Sequence, residues 1–135
     1  MKIIVTGATG FIGSHLIRTL TQMGHDCMGM DDCSTMGYPG WMDRFMEENH
    51  NVQFVIGDEG DCTKEWNIFN VFKKFKPELV FNLAVKCLPH SLEFPLTNFM
   101  DNVTITRNVV QGASHADAKL VHFSSSEVYG QAVMM

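Results

Sequence analysis

Lys2-Ile3-Ile4-Val5-Thr6-Gly7-Ala8-Thr9-Gly10-Phe11-Ile12-Gly13 stands at the head of the chain and decides its fold. Lys2–Thr6 is a short β-branched run that halts at glycine, which reads as a strand buried on both faces. Three glycines then follow at G-x-x-G-x-x-G spacing. Gly7 permits a sharp turn out of the strand, Gly10 lets backbone approach a diphosphate, and Gly13 lets a helix pack tightly on the sheet. Beyond them Phe11, Ile12, Leu16, Ile17, Leu20 and Met23 recur at helical spacing, with polar residues between. That pattern predicts an amphipathic helix over 11–23, ended by Gly24. The unpaired amides at its start, with the positive end of the helix dipole, would face bound phosphates.

The same alternation continues outward. His25–Met30 reads as a second strand ending at Asp31-Asp32, residues 32–40 as a loop, and Trp41–Glu48 as a short helix. Val52–Gly57 reads as a third strand ending at Asp58. Thr63–Phe75 follows as a helix with Trp66, Phe69 and Phe72 on one stripe, Asp61 or Thr63 at its start and Pro77 beyond its end. Leu79–Ala84 is a fourth strand and Val85–Phe94 a loop. Pro95 opens a helix whose apolar face is Leu96, Phe99, Met100, Val103 and Val110, and Lys119–Ser124 is a fifth strand. Strands joined by helical crossovers run parallel, with right-handed connections. The expected architecture is α/β, a doubly wound parallel sheet of the Rossmann type, as one domain over 1–135.

Composition narrows the function. The chain has 135 residues, 10 Lys+Arg against 15 Asp+Glu, and a formal charge of −5. With 45% hydrophobic residues it suits a packed core and excludes disorder. The acidic balance offers no footprint for nucleic acid. No apolar run approaches the ~20 residues of a membrane span, and none near the N-terminus suits a signal peptide. Cys27, Cys33, Cys62 and Cys87 form no C-x-x-C pair and are expected to be reduced thiols of a cytoplasmic protein. His25 and Cys27 share a strand face but lack a ligand set, so no metal site is expected.

Asp31 lies eighteen residues after Gly13, close to the ~20 at which dinucleotide-binding folds place an acid for the adenosine ribose hydroxyls. The stretch Asp31-Asp32-Cys33-Ser34-Thr35 carries two acids and no base, which favours NAD over NADP. Asp32 reads as a solvated loop acid in preference to a ribose contact. Asp58, at a strand end on the same sheet edge, could accept from the adenine amino group or serve as a turn acid, and Asp61 could cap. Ser124-Ser125-Ser126 ends the fifth strand, where a hydroxyl could ease proton transfer to or from a sugar oxygen. His122 reads as a packed or hydrogen-bonded histidine, His90 as near a substrate entrance, and Trp41 and Trp66 as packing residues.

Taken together, Thr6–Gly13, Asp31, Gly57-Asp58, Asn82-Leu83-Ala84, Asn102-Val103 and Ser124-Ser125-Ser126-Glu127-Val128-Tyr129-Gly130 resemble the extended short-chain dehydrogenases/reductases. More narrowly, the chain resembles the NAD-dependent epimerases and dehydratases of nucleotide sugars, over essentially its whole length. The resemblance implies backbone contacts from Phe11 and Ile12 to the pyrophosphate, Asp31 on the ribose, and Asp58 with Glu59 beside adenine. It also implies Leu83, Ala84 and Val85 along the nicotinamide, Asn102 near the cofactor, and Ser125, or next Ser126, at the catalytic serine position. It implies a nucleotide-sugar substrate and leaves a homo-oligomer possible.

Three departures stand out. Glu59 replaces a common aliphatic residue. Val85-Lys86 replaces small residues, Lys86 being read as a solvated loop lysine in preference to a phosphate contact. The family's Tyr-x-x-x-Lys pair is missing, since Tyr38 is followed four on by Met42 and Tyr129 by Val133. The chain is therefore expected to be an N-terminal portion, C-terminally truncated and inactive alone. The alternative is a non-catalytic NAD-binding sensor or partner module.

Overall fold

The computed structural model describes residues 1–34, 41–125, 128 and 130, with 41–43 described for backbone only. Its strands are β1 (Lys2–Thr6), β2 (Asp26–Asp31), β3 (Gln53–Ile56), β4 (Leu79–Asn82) and β5 (Lys119–His122). The helices are α1 (Phe11–Gln22), α2 (Trp41–Glu48), α3 (Glu65–Phe75), α4 (Leu88–Glu93) and α5 (Pro95–His115), and a 3₁₀ turn spans Gly57–Gly60. The strands form one sheet in the order β3-β2-β1-β4-β5. Every pairing is parallel. This is the doubly wound fold expected from the sequence.

Alternation along β1 explains the two-sided core. Ile3 and Val5 pack with Ile17 and Leu20 of α1 and Phe45 of α2. Ile4 packs on the other face with Ile68 and Phe72 of α3 and Ile105 and Val109 of α5. Successive strand side chains point to opposite faces, so a continuous apolar run is what a strand covered on both sides requires.

Several local expectations are corrected. The segment read as a loop over Val85–Phe94 contains α4, which opens with Leu88-Pro89. Proline tolerates the first turn of a helix, where its missing N–H has no partner to lose. No side chain caps α3, whose N-cap is Lys64. Asp61 instead accepts from the Thr63 amide at 2.9 Å and its hydroxyl at 2.7 Å, closing the turn before the helix.

The inward stripes of α3 and α5 also differ from the sequence reading. Ile68, Phe72 and Phe75 are the buried positions of α3, while Trp66 is 69% exposed and stacks on Phe69. On α5 the buried positions are Asn98, Ile105, Asn108, Val109, Gly112 and Ala113. The more hydrophobic stripe of Leu96, Phe99, Met100, Val103 and Val110 faces outward. Closeness of the two helices selects the smaller stripe, because a Cβ added to Gly112 would lie 2.7 Å from the Phe72 ring. Asn108 turns inward because its amide donates to the carbonyls of Cys62 and Thr63 at 3.0 and 2.9 Å. The Trp41 side chain lies outside the described residues. Trp66→Ala is expected to change the unfolding free energy by no more than about 1 kcal/mol in a urea titration. A loss of about 3 kcal/mol would place Trp66 in a packed interface instead.

Among the described residues, no helix is long and apolar enough to cross a membrane.

Candidate functional site

Strand order reverses between β1 and β4, so their carboxyl ends open a crevice, the usual ligand position in open α/β sheets. The glycine turn fills one side of it. Gly7 has φ +66°, and a Cβ there would sit 2.8 Å from the Leu83 carbonyl carbon and 2.9 Å from the Ala84 nitrogen. The turn is thereby pressed against the chain leaving β4. The Gly10 amide donates to the Gly7 carbonyl at 3.1 Å, and Gly10 becomes the N-cap of α1. A Cβ at Gly13 would collide with the Gly7 carbonyl oxygen. No side chain caps α1. Its first amides have no partner inside the helix and, with the dipole, form a seat for an anion. The Phe11 and Ile12 side chains are exposed, Phe11 lying edge-on against His15.

Asp31 ties the end of β2 to this turn. Its Oδ2 accepts from the Thr9 amide at 2.9 Å and its Oδ1 from the Cys33 amide at 2.8 Å. Asp32 is held differently. Its Oδ1 accepts from the Ser34 amide at 3.0 Å and the Ser34 hydroxyl at 2.8 Å. Its Oδ2 pairs with Lys86 Nζ from the loop after β4. Burial pushes the Asp32 carboxyl up, yet the Lys86 and Ser34 hydrogen bonds outweigh it and hold Asp32 below its ordinary value. Burial likewise disfavours charged Lys86, and the bond to Asp32 more than offsets this, raising the lysine. The pair's contribution to stability is therefore lost as pH falls through the lowered Asp32 value, or rises through the raised Lys86 value. Both residues were read as solvated; the side chains are in fact largely covered, 25% and 17% exposed.

The Lys86 backbone is itself anchored. Asn102 accepts from the Lys86 amide at 2.8 Å and donates to its carbonyl at 3.1 Å. Asn98 donates to the carbonyls of Lys86 and Cys87 at 2.9 and 3.2 Å. Sequence reasoning missed Asn98. The available signal was a pair of amides one helical turn apart, Asn98 and Asn102, near the start of the helix that Pro95 opens.

Gly7, Gly10, Asp31, Asp32, Leu83, Ala84 and Val85 line one cavity of about 120 Å³. Thr9, Gly60, Asp61, Cys62, Lys86, Cys87 and Ile105 complete its wall. Gly60 is admitted by necessity, since a Cβ there would collide with the carbonyl oxygens of Asp31 and Val55. Burial pushes the Cys62 thiol far above its ordinary value, so it stays a neutral packing group. Gly13 lies beneath the turn, and Asn102 stands behind the loop it holds. The Asp58 side chain is 88% exposed and pairs with Lys64. Glu59 lies on a separate groove beside Trp66 and Asn67.

Behind the wall a hydrogen-bonded row crosses three strands. The Thr6 hydroxyl donates to Asn82 at 2.6 Å, and the Asn82 amide meets His122 Nδ1 at 3.0 Å. His122 is thus hydrogen-bonded, as read. His90 meets Asn98 at 3.2 Å within α4 and α5. Ser125 is exposed after β5, its carbonyl accepting from the Val128 amide at 3.3 Å. Ser126 lies outside the described residues.

Residues 3–133 match the profile of the NAD dependent epimerase/dehydratase family. The chain belongs to this family. Among curated proteins it is 34% identical over 135 residues to the UDP-glucose 4-epimerase of Mycolicibacterium smegmatis, covering 96% of this chain and 41% of that one. It is 32% identical over 136 residues to Protein CapI of Staphylococcus aureus, covering 96% and 39%. Among solved structures, UDP-glucose 4-epimerase from Thermotoga maritima with UDP-glucose superposes at TM-score 0.84 and 26% identity, covering 100% of this chain and 41% of that one. The Bordetella bronchiseptica enzyme WbmG in complex with NAD superposes at TM-score 0.82 and 26% identity, covering 96% and 39%. This epimerase/dehydratase-family chain thus spans about two fifths of the length of these two curated relatives.

Proposed function

We propose that the chain is the NAD-binding part of a nucleotide-sugar epimerase or dehydratase. The observation that carries this reading is the conjunction of an uncapped glycine-turn helix with Asp31 fastened to that turn through Thr9. The residues fit the cofactor. The amides of Phe11 and Ile12 supply an anion seat, Gly10 leaves it open, and Asp31 can trade an internal amide for ribose hydroxyls. Leu83, Ala84 and Val85 supply an apolar wall for the nicotinamide half, and Asn98 and Asn102 hold the following loop in place. Asp58 is assigned to the adenine side, the Asp58–Lys64 pair opening to release the carboxylate, while Glu59 faces the separate groove and is given no cofactor role. NAD, when bound, supplies a hydride acceptor for a sugar hydroxyl.

Ser125, at the end of β5, is assigned to hydrogen-bond that hydroxyl and ease its proton away. The 135-residue chain holds no Tyr-x-x-x-Lys pair to take the proton onward, so we assign it cofactor binding without turnover of its own. The second reading is a non-catalytic NAD-binding module, for which the same crevice would suffice.

Calorimetric titration of the chain with NAD is expected to show one saturable site, and no heat of binding would overturn both readings. In a longer form carrying the missing pair, Ser125→Ala is expected to cut kcat about 100-fold or more while leaving NAD affinity nearly unchanged. Equal losses in both would refute the proton-transfer role. Full turnover by the short chain would overturn the division of labour.

A further inference from the structure

Phe69, Phe72, Lys73 and Lys76 follow one another at i, i+3, i+4 and i+7, so they share one face of α3 and its cap. Across from them α5 presents Gly112, His115 and Ala116, and the two sets line a groove of about 490 Å³. Both helices end just before the strands they lead into, so this groove lies at the opposite end of the sheet from the crevice. Gly112, having no side chain, lets α5 close on Phe72 and leaves the space above that contact unfilled.

The floor is apolar and the rim is cationic. Phe69 is exposed, with Trp66 stacked against it at 5.9 Å and Lys73 Nζ 5.6 Å from its ring centroid. His115 closes the α5 side, donating its Nδ1–H to the Gln111 carbonyl at 2.8 Å. Among the described residues no acid lines the groove, and neither Lys73 nor Lys76 has an ion pair. The helix dipole accounts for lysines near the end of α3 in general. It does not require one at position 76, which caps the helix at φ +56°, a left-handed conformation ordinarily taken by glycine. A lysine is held there against conformational strain.

We infer that the groove binds a small amphiphilic carboxylate, its aromatic or alkyl body lying on Phe69 and Phe72 and its charge between Lys73 and Lys76. Three features select this class. The volume falls within the ~300–1,000 Å³ of small-molecule sites, which are mostly apolar with a few placed polar groups. The α5 side runs only from Gly112 to Ala116, about 6 Å of helix, which accommodates one apolar body and not the successive anchors of a docked helix. Two ammoniums beside an apolar floor complement one anion on an apolar body, whereas a bare inorganic anion would leave the floor unused. The inference is independent of the reading of the crevice, and cofactor binding plays no part in its test.

Phenylbutyrate, titrated into the isotopically labelled 135-residue chain and followed by amide NMR shifts, is the probe. The shifts are expected to saturate and to concentrate in Phe69–Lys76 and Gly112–Ala116. Phenylbutanamide, which keeps the body and loses the charge, is expected to bind about fivefold more weakly or less. Lys73→Met is expected to weaken phenylbutyrate by about the same factor. Lys74→Met is expected to leave it unchanged, since Lys74 lines the groove on the other side of α3. The two lysines sit at the same helix end, so equal effects would reduce the rim to dipole compensation and overturn the site. Lys76→Gly is expected to weaken binding yet raise the urea midpoint, as the left-handed strain is relieved. A lowered midpoint would show that the lysine is kept for the fold and overturn its assignment.

Equal affinity for the amide and the carboxylate, or shifts scattered over the surface, would overturn the proposal. So would saturation of the groove by an acidic peptide with one central phenylalanine when phenylbutyrate does not bind, since the groove would then belong to a protein partner. Shifts of the same amides on dilution of the chain alone would assign the groove to a second copy and overturn it as well.

Discussion

Gly13→Ala is expected to destabilise the chain by about 3 kcal/mol or more and to abolish detectable NAD binding. The added Cβ would collide with the Gly7 carbonyl oxygen and lie 2.9 Å from Ala8 Cα. Both neighbours are backbone, so no rotamer change relieves the overlap. Relief requires α1 to move off the sheet or the turn to open, and either costs packing around Ile17 and Leu20. The displaced Gly7 carbonyl also accepts the Gly10 amide, so the loss spreads to the anion seat. Urea unfolding measures the first effect and calorimetry with NAD the second. Gly10→Ala is the internal comparison, its Cβ meeting only the Gly7 carbonyl oxygen, at 3.3 Å. Equal loss of stability in the two variants would show that helix-to-turn closeness is not what Gly13 provides.

Asp31→Ala is expected to weaken NAD binding about 10- to 100-fold, the scale of losing a charged partner for two ribose hydroxyls. The unliganded chain should lose stability as well, by about 1–2 kcal/mol, because the Thr9 and Cys33 amides lose their acceptors. Asp31→Asn separates the two roles. One carboxamide oxygen can still accept an amide, so more of the stability than of the affinity should return. NAD affinity unchanged in Asp31→Ala, with the fold intact, would place the ribose elsewhere.

Strand and helix alternation was readable because each element meets a simple environment. Ile3-Ile4-Val5 is apolar throughout because both faces of β1 are covered, and Gly7, Gly10 and Gly13 mark three backbone positions of distinct demand. Asp31 was readable as the acid that ends the second strand, and the structure ties it to the turn through the Thr9 amide. The α5 stripe misled because hydrophobicity ranks residues without knowing how near α3 comes. Gly112 takes the inward face because a Cβ there would collide with Ile68 and Phe72, and Ile105, Val109 and Ala113 follow on the same side. Lys86 misled for a related reason, since its partner Asp32 is fifty-four residues away and no local pattern announces it. The Asn98 and Asn102 clamps are likewise long-range, joining α5 to the loop after β4.

The order of strands and helices, the glycine turn and the acid at the end of β2 all follow from local covalent and steric rules, so residue type and spacing were enough to assign them. Which face of α5 turns inward, how Asp32 is neutralised, and which side chains hold the crevice open depend on distances between segments far apart in the chain. Those distances come into being only when the two layers of helices close over the sheet, and so they belong to the folded molecule.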